Sequence, residues 1–152
     1  MALHLKVKIS GADKIEKKLK TMEKKVAKKV VRDSVKKAQK IELSEAKQKA
    51  LSLVGGEMGK QISDSLKIQA PKQKKGSYAL NVQIDKNKAE QFIDKSKAGK
   101  ENFIPAAIEY GHISRDGSFV KAIPFMRTSA DETKQKRIDT FESEIKKGIN
   151  NA

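Results

Sequence analysis

The spacing of apolar and polar residues changes several times along the chain, and each change marks an element. Leu3, Leu5, Val7 and Ile9 alternate with His4, Lys6 and Lys8, a period of two that predicts a half-buried strand over 3–9. Ser10-Gly-Ala-Asp13 then supplies turn and N-cap chemistry, and Glu16 completes a capping-box-like pattern. From there to Leu53 there is no Pro or Gly. Ile15, Leu19, Met22, Val26 and Val30 recur at helical spacing, with lysines around the other sides. After Asp33 the seam changes phase to Val31, Val35, Ala38 and Ile41, then Ala46, Ala50 and Leu53, and Gly55-Gly56 ends it. One continuous helix of that extent would be roughly 60 Å long. A compact globule of this size is only about 40 Å across. Either the helix breaks near the phase change, or it projects and packs on something outside its own domain.

The second half alternates shorter signals. Gly59-x-x-Ile62-x-x-Ser65-Leu66 leads into a strand expected over 62–70, and Pro71 to Gly76 form a basic turn. Tyr78, Leu80, Val82 and Ile84 alternate with Ala79, Asn81 and Gln83, so 77–85 should be the second arm of a long-looped hairpin. Ala89, Phe92 and Ile93 could form one helical turn, and Lys95 to Lys100 read as exposed loop. The last helix should begin at Pro124, a residue suited to a helix N-terminus, and run through Met126, Ala130, Ile138, Phe141 and Ile145. Gly148 and the Asn-Asn-Ala tail should mark its end. The fold class expected is α+β, with residues 1–152 as one domain. A small antiparallel sheet, from strands near 3–9, 62–70 and 77–85 with a fourth near 118–122, would be packed by the long N-terminal helix and the C-terminal helix. Tyr110, Phe119, Phe125 and Met126 should pack that last helix on the sheet.

Composition narrows the function. A chain of 152 residues can bury a core without staples, and it holds no Cys, so disulfides and thiolate metal sites are excluded. No apolar run reaches the roughly 20 residues of a membrane span, and the N-terminus lacks a signal-peptide apolar region. Synthesis as a soluble, intracellular chain is expected. The net charge is +15, and residues 1–75 carry +13 of it. Such a field favours nucleic acid, an anionic membrane or an acidic protein surface. That half nevertheless offers one Arg, Arg32, and neither Phe nor Trp, with Tyr78 just beyond it. Sequence-reading and single-strand sites lean on Arg forks and stacking aromatics, so the lysines read first as solvated helix faces.

Catalytic chemistry is poorly represented. His4 and His112 have no metal-site spacing. His112, Ser114 and Asp116 contain the letters of a triad, but triads are defined by geometry and loops are rich in these residues. Gly55-Gly-Glu-Met-Gly59 lacks the Lys-Ser/Thr ending of a phosphate loop and reads as a helix stop. Glu109, between Ile108 and Tyr110, should be partly buried and needs a donor, with Arg127 or a backbone N–H the candidates. Gly111 should supply a positive φ.

Several linked pieces carry a family resemblance: Val7, Ile9 and Gly11 before a long Lys/Ala-rich helix, Gly59-x-x-Ile62-x-x-Ser65-Leu66, Glu109-Tyr110-Gly111, and Pro124-Phe125-Met126-Arg127. In order and spacing the chain resembles the neck and tail-completion morphogenesis family of long-tailed bacteriophages. It departs from the family pattern at His112, where Thr is common, and at Gly56-Glu-Met, where Pro and Thr often precede the first Gly of that step. The resemblance implies a structural virion protein of the head–tail junction, made in the host cytoplasm, that completes or terminates the tail. It implies a ring of copies, usually six, around the DNA channel, with neighbouring neck and tail-tube proteins as partners. DNA would pass without specific binding, and neither a cofactor nor a membrane is implied. Glu109, Tyr110, Gly111, Pro124, Phe125 and Arg127 are then the candidate assembly residues. The alternative is a Lys-rich nucleic-acid-binding protein.

Overall fold

The computed structural model describes residues 12–71 and 78–151. The strand expected over 3–9 lies outside them. The class is α+β: helices α1 (Ala12–Thr21), α2 (Lys24–Lys49), α3 (Gly56–Ser65), α4 (Ile104–Tyr110) and α5 (Phe125–Asn150), with three two-stranded sheets. The strands are β1 (Leu66–Gln69), β2 (Asn81–Ile84), β3 (Ile93–Lys95), β4 (Glu101–Phe103), β5 (His112–Ile113) and β6 (Phe119–Val120), paired β1–β2, β3–β4 and β5–β6. The chain separates into two compact units, 1–42 with 68–82 and 133–152, and 43–67 with 83–132.

In the first unit α2 and α5 run antiparallel. Val30 meets Gly148, Lys37 bonds Glu144, and Arg137 bonds both Glu42 and Gln39. The buried positions of α2 here are Ser34, Ala38, Gln39 and Glu42, small or paired side chains that let a second helix approach closely. Gly148 is part of that approach. A Cβ on it would lie 2.6 Å from Val30 Cγ1, and a β-branched side chain has little freedom to yield. The sequence marks Gly148 as a helix end, yet α5 continues to Asn150, because the glycine serves packing instead of capping. Gln39 also donates to the Leu80 carbonyl at 2.6 Å, tying α2 to the segment before β2.

In the second unit α2 ends in a π-helical turn, Ala50–Val54, closed by Gly55 at φ +70°. Helix α3 starts immediately and lies against that turn, where a Cβ on Gly59 would sit 2.5 Å from the Ala50 carbonyl oxygen. A short 3-10 segment, Lys86–Phe92, buries Phe92 completely, with the Phe103 ring edge-on at 6.3 Å. Strands β3 and β4 pair antiparallel, Ile93 opposite Phe103 and Lys95 opposite Glu101. The loop expected over 95–100 is therefore a hairpin turn, closed by the Ser96 N–H on the Lys100 carbonyl at 2.9 Å.

Other expectations need correction. The first helix breaks at Met22–Glu23 and not near Asp33, and α2 carries the phase change without interruption. Asp13 lies inside the first turn of α1, not before it, and Glu16 pairs with Lys20 at 2.6 Å. At 26 residues α2 is about 39 Å long, and α5 has the same 26 residues to lay along it. Length alone therefore calls for no external partner. Residues 56–65 are helical where the approach to a strand over 62–70 was expected, since Gly59, Ile62 and Ser63 form one buried helical stripe. The strand of that hairpin is confined to 66–69, and its partner to 81–84. Among the described residues the strands form three separate two-stranded sheets where one small sheet was expected.

The Arg137–Glu42 pair is almost fully buried, at 4% and 6% side-chain exposure. Burial pushes the Glu42 carboxyl above its usual range, against the pull of Arg137. Removing one partner of such a pair leaves a buried charge uncompensated, at a cost of about 3–5 kcal/mol. Arg137→Met should lose that much in urea unfolding, and the double variant Glu42→Leu/Arg137→Met should recover most of it. Strictly additive losses would show that the two side chains do not act as a pair.

A carboxylate clamp and the hairpin it carries

Helix α5 begins with three N–H groups that no helical carbonyl can reach. The Phe125 N–H bonds the Ile123 carbonyl at 2.9 Å. The other two are taken by one side chain from another helix. Glu109 Oε2 accepts from the Met126 N–H at 2.8 Å, and Oε1 accepts from the Arg127 N–H at 2.9 Å. Arg127 completes the clamp: its Nε donates to the same Oε1 at 3.1 Å, and its Nη2 donates to the Glu109 main-chain carbonyl at 2.9 Å. Its guanidinium lies 4.9 Å from the centre of the Tyr110 ring. Glu109 is only 4% exposed, so its carboxylate is buried against the positive end of a helix dipole and the Arg127 guanidinium.

The six residues singled out in the sequence are brought together. Pro124 accepts the first helical bond, from the Thr128 N–H at 3.1 Å, and Phe125 is 1% exposed beneath the clamp. Gly111 follows Tyr110 at φ +76°, as expected, and its space is as constrained as its angle. A Cβ there would lie 2.7 Å from the Val120 carbonyl oxygen and 3.0 Å from the Ala122 nitrogen. The Ile123 N–H reaches the Ile108 carbonyl at 2.7 Å, so both ends of the intervening loop are anchored.

That loop is the β5–β6 hairpin, with His112 opposite Val120 and Ile113 opposite Phe119. Its tip closes on itself. The Ser114 N–H donates to the Ser118 carbonyl at 2.8 Å, and Asp116 accepts from the hydroxyls of Ser114 and Ser118 and from the Ser118 N–H. The Ser114 hydroxyl, followed by the Ser118 hydroxyl and N–H, holds the Asp116 carboxyl down at about 2. The serines thus bind the carboxylate itself, and the His112 ring lies by the Ala107 carbonyl at 3.4 Å, so these letters do not assemble a Ser–His–Asp relay. Among the described residues no group of three His, Cys, Asp or Glu could hold a metal ion, and no helix is long and apolar enough to cross a membrane.

The hairpin points its apolar side chains outward. Ile113 is 73% exposed and Phe119 71%, with Val120 and Tyr110 also exposed. Phe119 and Tyr110 were expected to pack the last helix on a sheet; both are exposed, and Tyr110 meets α5 through the Arg127 guanidinium. Opposed residues of a strand pair share a face, so Ile113 and Phe119 form one apolar pair. The signal for this hairpin was present in Ser-Arg-Asp116-Gly117-Ser between His112-Ile113 and Phe119-Val120, an Asp-Gly turn flanked by β-formers.

Two other surfaces carry charge. Lys24, Lys28, Arg32, Lys36 and Lys40 occupy every fourth position of α2, all exposed and about 6 Å apart along the axis. None forms an ion pair within the described residues, although Arg32 lies 5.4 Å from the centre of the Tyr78 ring. A cleft of about 570 Å³ in the first unit is lined by Val26, Val30, Lys37, Glu144 and Lys147, among others. Lys37 and Lys147 both bond Glu144, so that charge is already engaged.

Glu109→Ala strips two helix N–H groups and Arg127 of their acceptor, and should lower stability by about 1–3 kcal/mol in urea unfolding. Arg127→Ala leaves both backbone bonds in place and should cost less than Glu109→Ala. Equal losses would shift the weight of the clamp to the guanidinium. A separate titration checks the hairpin tip. The Asp116 pKa is depressed, so its contact with the Ser118 N–H persists as pH falls past the ordinary aspartate value of 3.8, and is lost on passing about 2. The Ser118 amide proton should follow that lower midpoint by NMR, and a midpoint near 3.8 would mean that the tip is open.

Comparison of the chain with family models, with curated proteins and with solved structures gives no match.

Proposed function

We propose that the chain is a structural subunit of a long-tailed bacteriophage virion, placed at the head–tail junction, where it completes or terminates the tail. In this reading the copies close a ring around the DNA channel, six being the expected number, and bind neighbouring neck and tail-tube proteins. The protein is made in the host cytoplasm and remains in the particle. One observation carries the reading: a rigidly anchored hairpin leaves Ile113 and Phe119 in water, which is favourable only if another surface covers them. The anchor is built from the two motifs, Glu109-Tyr110-Gly111 and Pro124-Phe125-Met126-Arg127, that the resemblance to the phage family rests on. The proposed role is assembly, and the carboxylate is engaged in structure instead of chemistry.

A second reading, a Lys-rich nucleic-acid-binding protein, is favoured by the cation row of α2. Five cations of this kind can neutralise up to about five phosphates, and binding would then fall with salt at a logarithmic slope of roughly −4 to −5. The two readings differ in what salt does. In a neck, DNA must slide, so the row should face outward or toward acidic neighbours.

Light scattering and negative-stain imaging of the purified protein across concentrations and salts should show mass above 16.9 kDa and ring-shaped particles that persist at about 150 mM salt. Random-duplex DNA binding should be weak and lost at that salt. A strict monomer, alone and in the virion, contradicts the ring. Tight duplex binding that survives the same salt moves the assignment to the second reading.

A further inference from the structure

We propose that the subunit contact is head-to-tail, with the β5–β6 hairpin of one copy seated on the exposed end of α2, around Leu51 and Leu53, in the next. This rests on the ring reading and names the surfaces that would make it. Exposed large apolar side chains are unevenly distributed among the described residues: Val26 alone is in the first unit, and the rest, including Leu51, Leu53, Ile113 and Phe119, are in the second. Leu51 and Leu53 belong to the π-helical turn, where residues 51–53 are all exposed at 50% and 48% for the two leucines.

Charge identifies the occupant. The sequence of the first unit holds 22 basic and 8 acidic residues, a net +14, whereas that of the second holds 12 basic and 11 acidic, a net +1. Two copies meeting through the first would bring two strongly positive fields together. Copies meeting through the second face no such barrier and cover apolar surface. An acidic protein or a polyanion would be drawn to the first unit and gains nothing from a neutral apolar hairpin. A second copy of this chain fits the second unit best.

The arrangement of the apolar residues sets the symmetry. Two hairpins meeting face to face would make a contact of like with like and close at a dimer. A ring needs two different surfaces on each copy, and the second unit exposes apolar side chains on two separate elements, the hairpin and the π-helical turn. The hairpin strands are only two residues long, too short to persist unsupported, and Glu109 and Gly111 fix their base before any partner arrives.

The chain has no native cysteine, so introduced ones report without background. Ile113→Cys and Leu53→Cys are made singly and together in the full chain and oxidised at a concentration where mass is measured in parallel. The double variant should give a ladder of covalent oligomers, and each single variant should stay uncrosslinked. A covalent dimer from Ile113→Cys alone overturns the head-to-tail contact in favour of hairpin pairing. Assembly by light scattering without any crosslink overturns the named surfaces but leaves the ring. A monomer by both measurements overturns the ring as well. Phe119→Asp should weaken association by about tenfold or more with an unchanged thermal melt, and Lys28→Glu should leave association intact. Association unaffected by Phe119→Asp also counts against the hairpin.

Discussion

A helix start is an electrostatic problem before it is a packing one, because its first N–H groups point into space with a partial positive charge and no acceptor. Here the solution comes from 17 and 18 residues earlier in the chain, from the Glu109 side chain. One carboxylate holds Met126 and Arg127 by their backbones, and Arg127 returns two further bonds from its side chain. This fixes α4 to α5 and so fixes both ends of the residues between them. The β5–β6 hairpin could not otherwise keep its shape with Ile113 and Phe119 in water, since two-residue strands contribute too little pairing of their own. Gly111 is the second half of the same constraint, because the chain turns out of α4 where a Cβ would strike the backbone of β6.

The physical chemistry is divided unevenly over the chain. Nearly all of the net charge lies in the sequence of the first unit, where α2 and α5 are joined by Arg137, Glu42 and Gln39. The second unit is close to neutral and keeps the apolar exposure. Charge and exposed apolar surface are therefore separated along the sequence. Among the described residues the row from Lys24 to Lys40 forms no ion pair.

The clamp was legible in the sequence because its parts violate local expectation. A carboxylate between Ile108 and Tyr110 has to find a donor, Gly111 follows an aromatic at a turn, and Pro124 can only open a helix. The long helices were legible from their period, as was the stop at Gly55. What could not be read was set by tertiary fit. The break at Met22–Glu23 carries no Gly or Pro, while the phase change at Asp33 is absorbed once Ser34, Ala38 and Glu42 face α5. Residues 56–65 contain Gly and Ser and mimic a strand approach, but Gly59 is needed for close contact with Ala50 and the segment coils to provide it. Gly148 looked like a terminus for the same reason: composition shows that a side chain is missing, and only the neighbouring Val30 shows why.

The clamp itself can be observed without altering the protein. Amide hydrogen exchange of Met126 and Arg127 reports directly on whether two first-turn N–H groups, which in an uncapped helix exchange quickly, are held by a buried acceptor. Protection of both amides close to that of the central α5 amides is the expected result. Exchange at the rate of an exposed helix terminus would mean that Glu109 does not hold the helix, and the hairpin would lose the support on which its role depends.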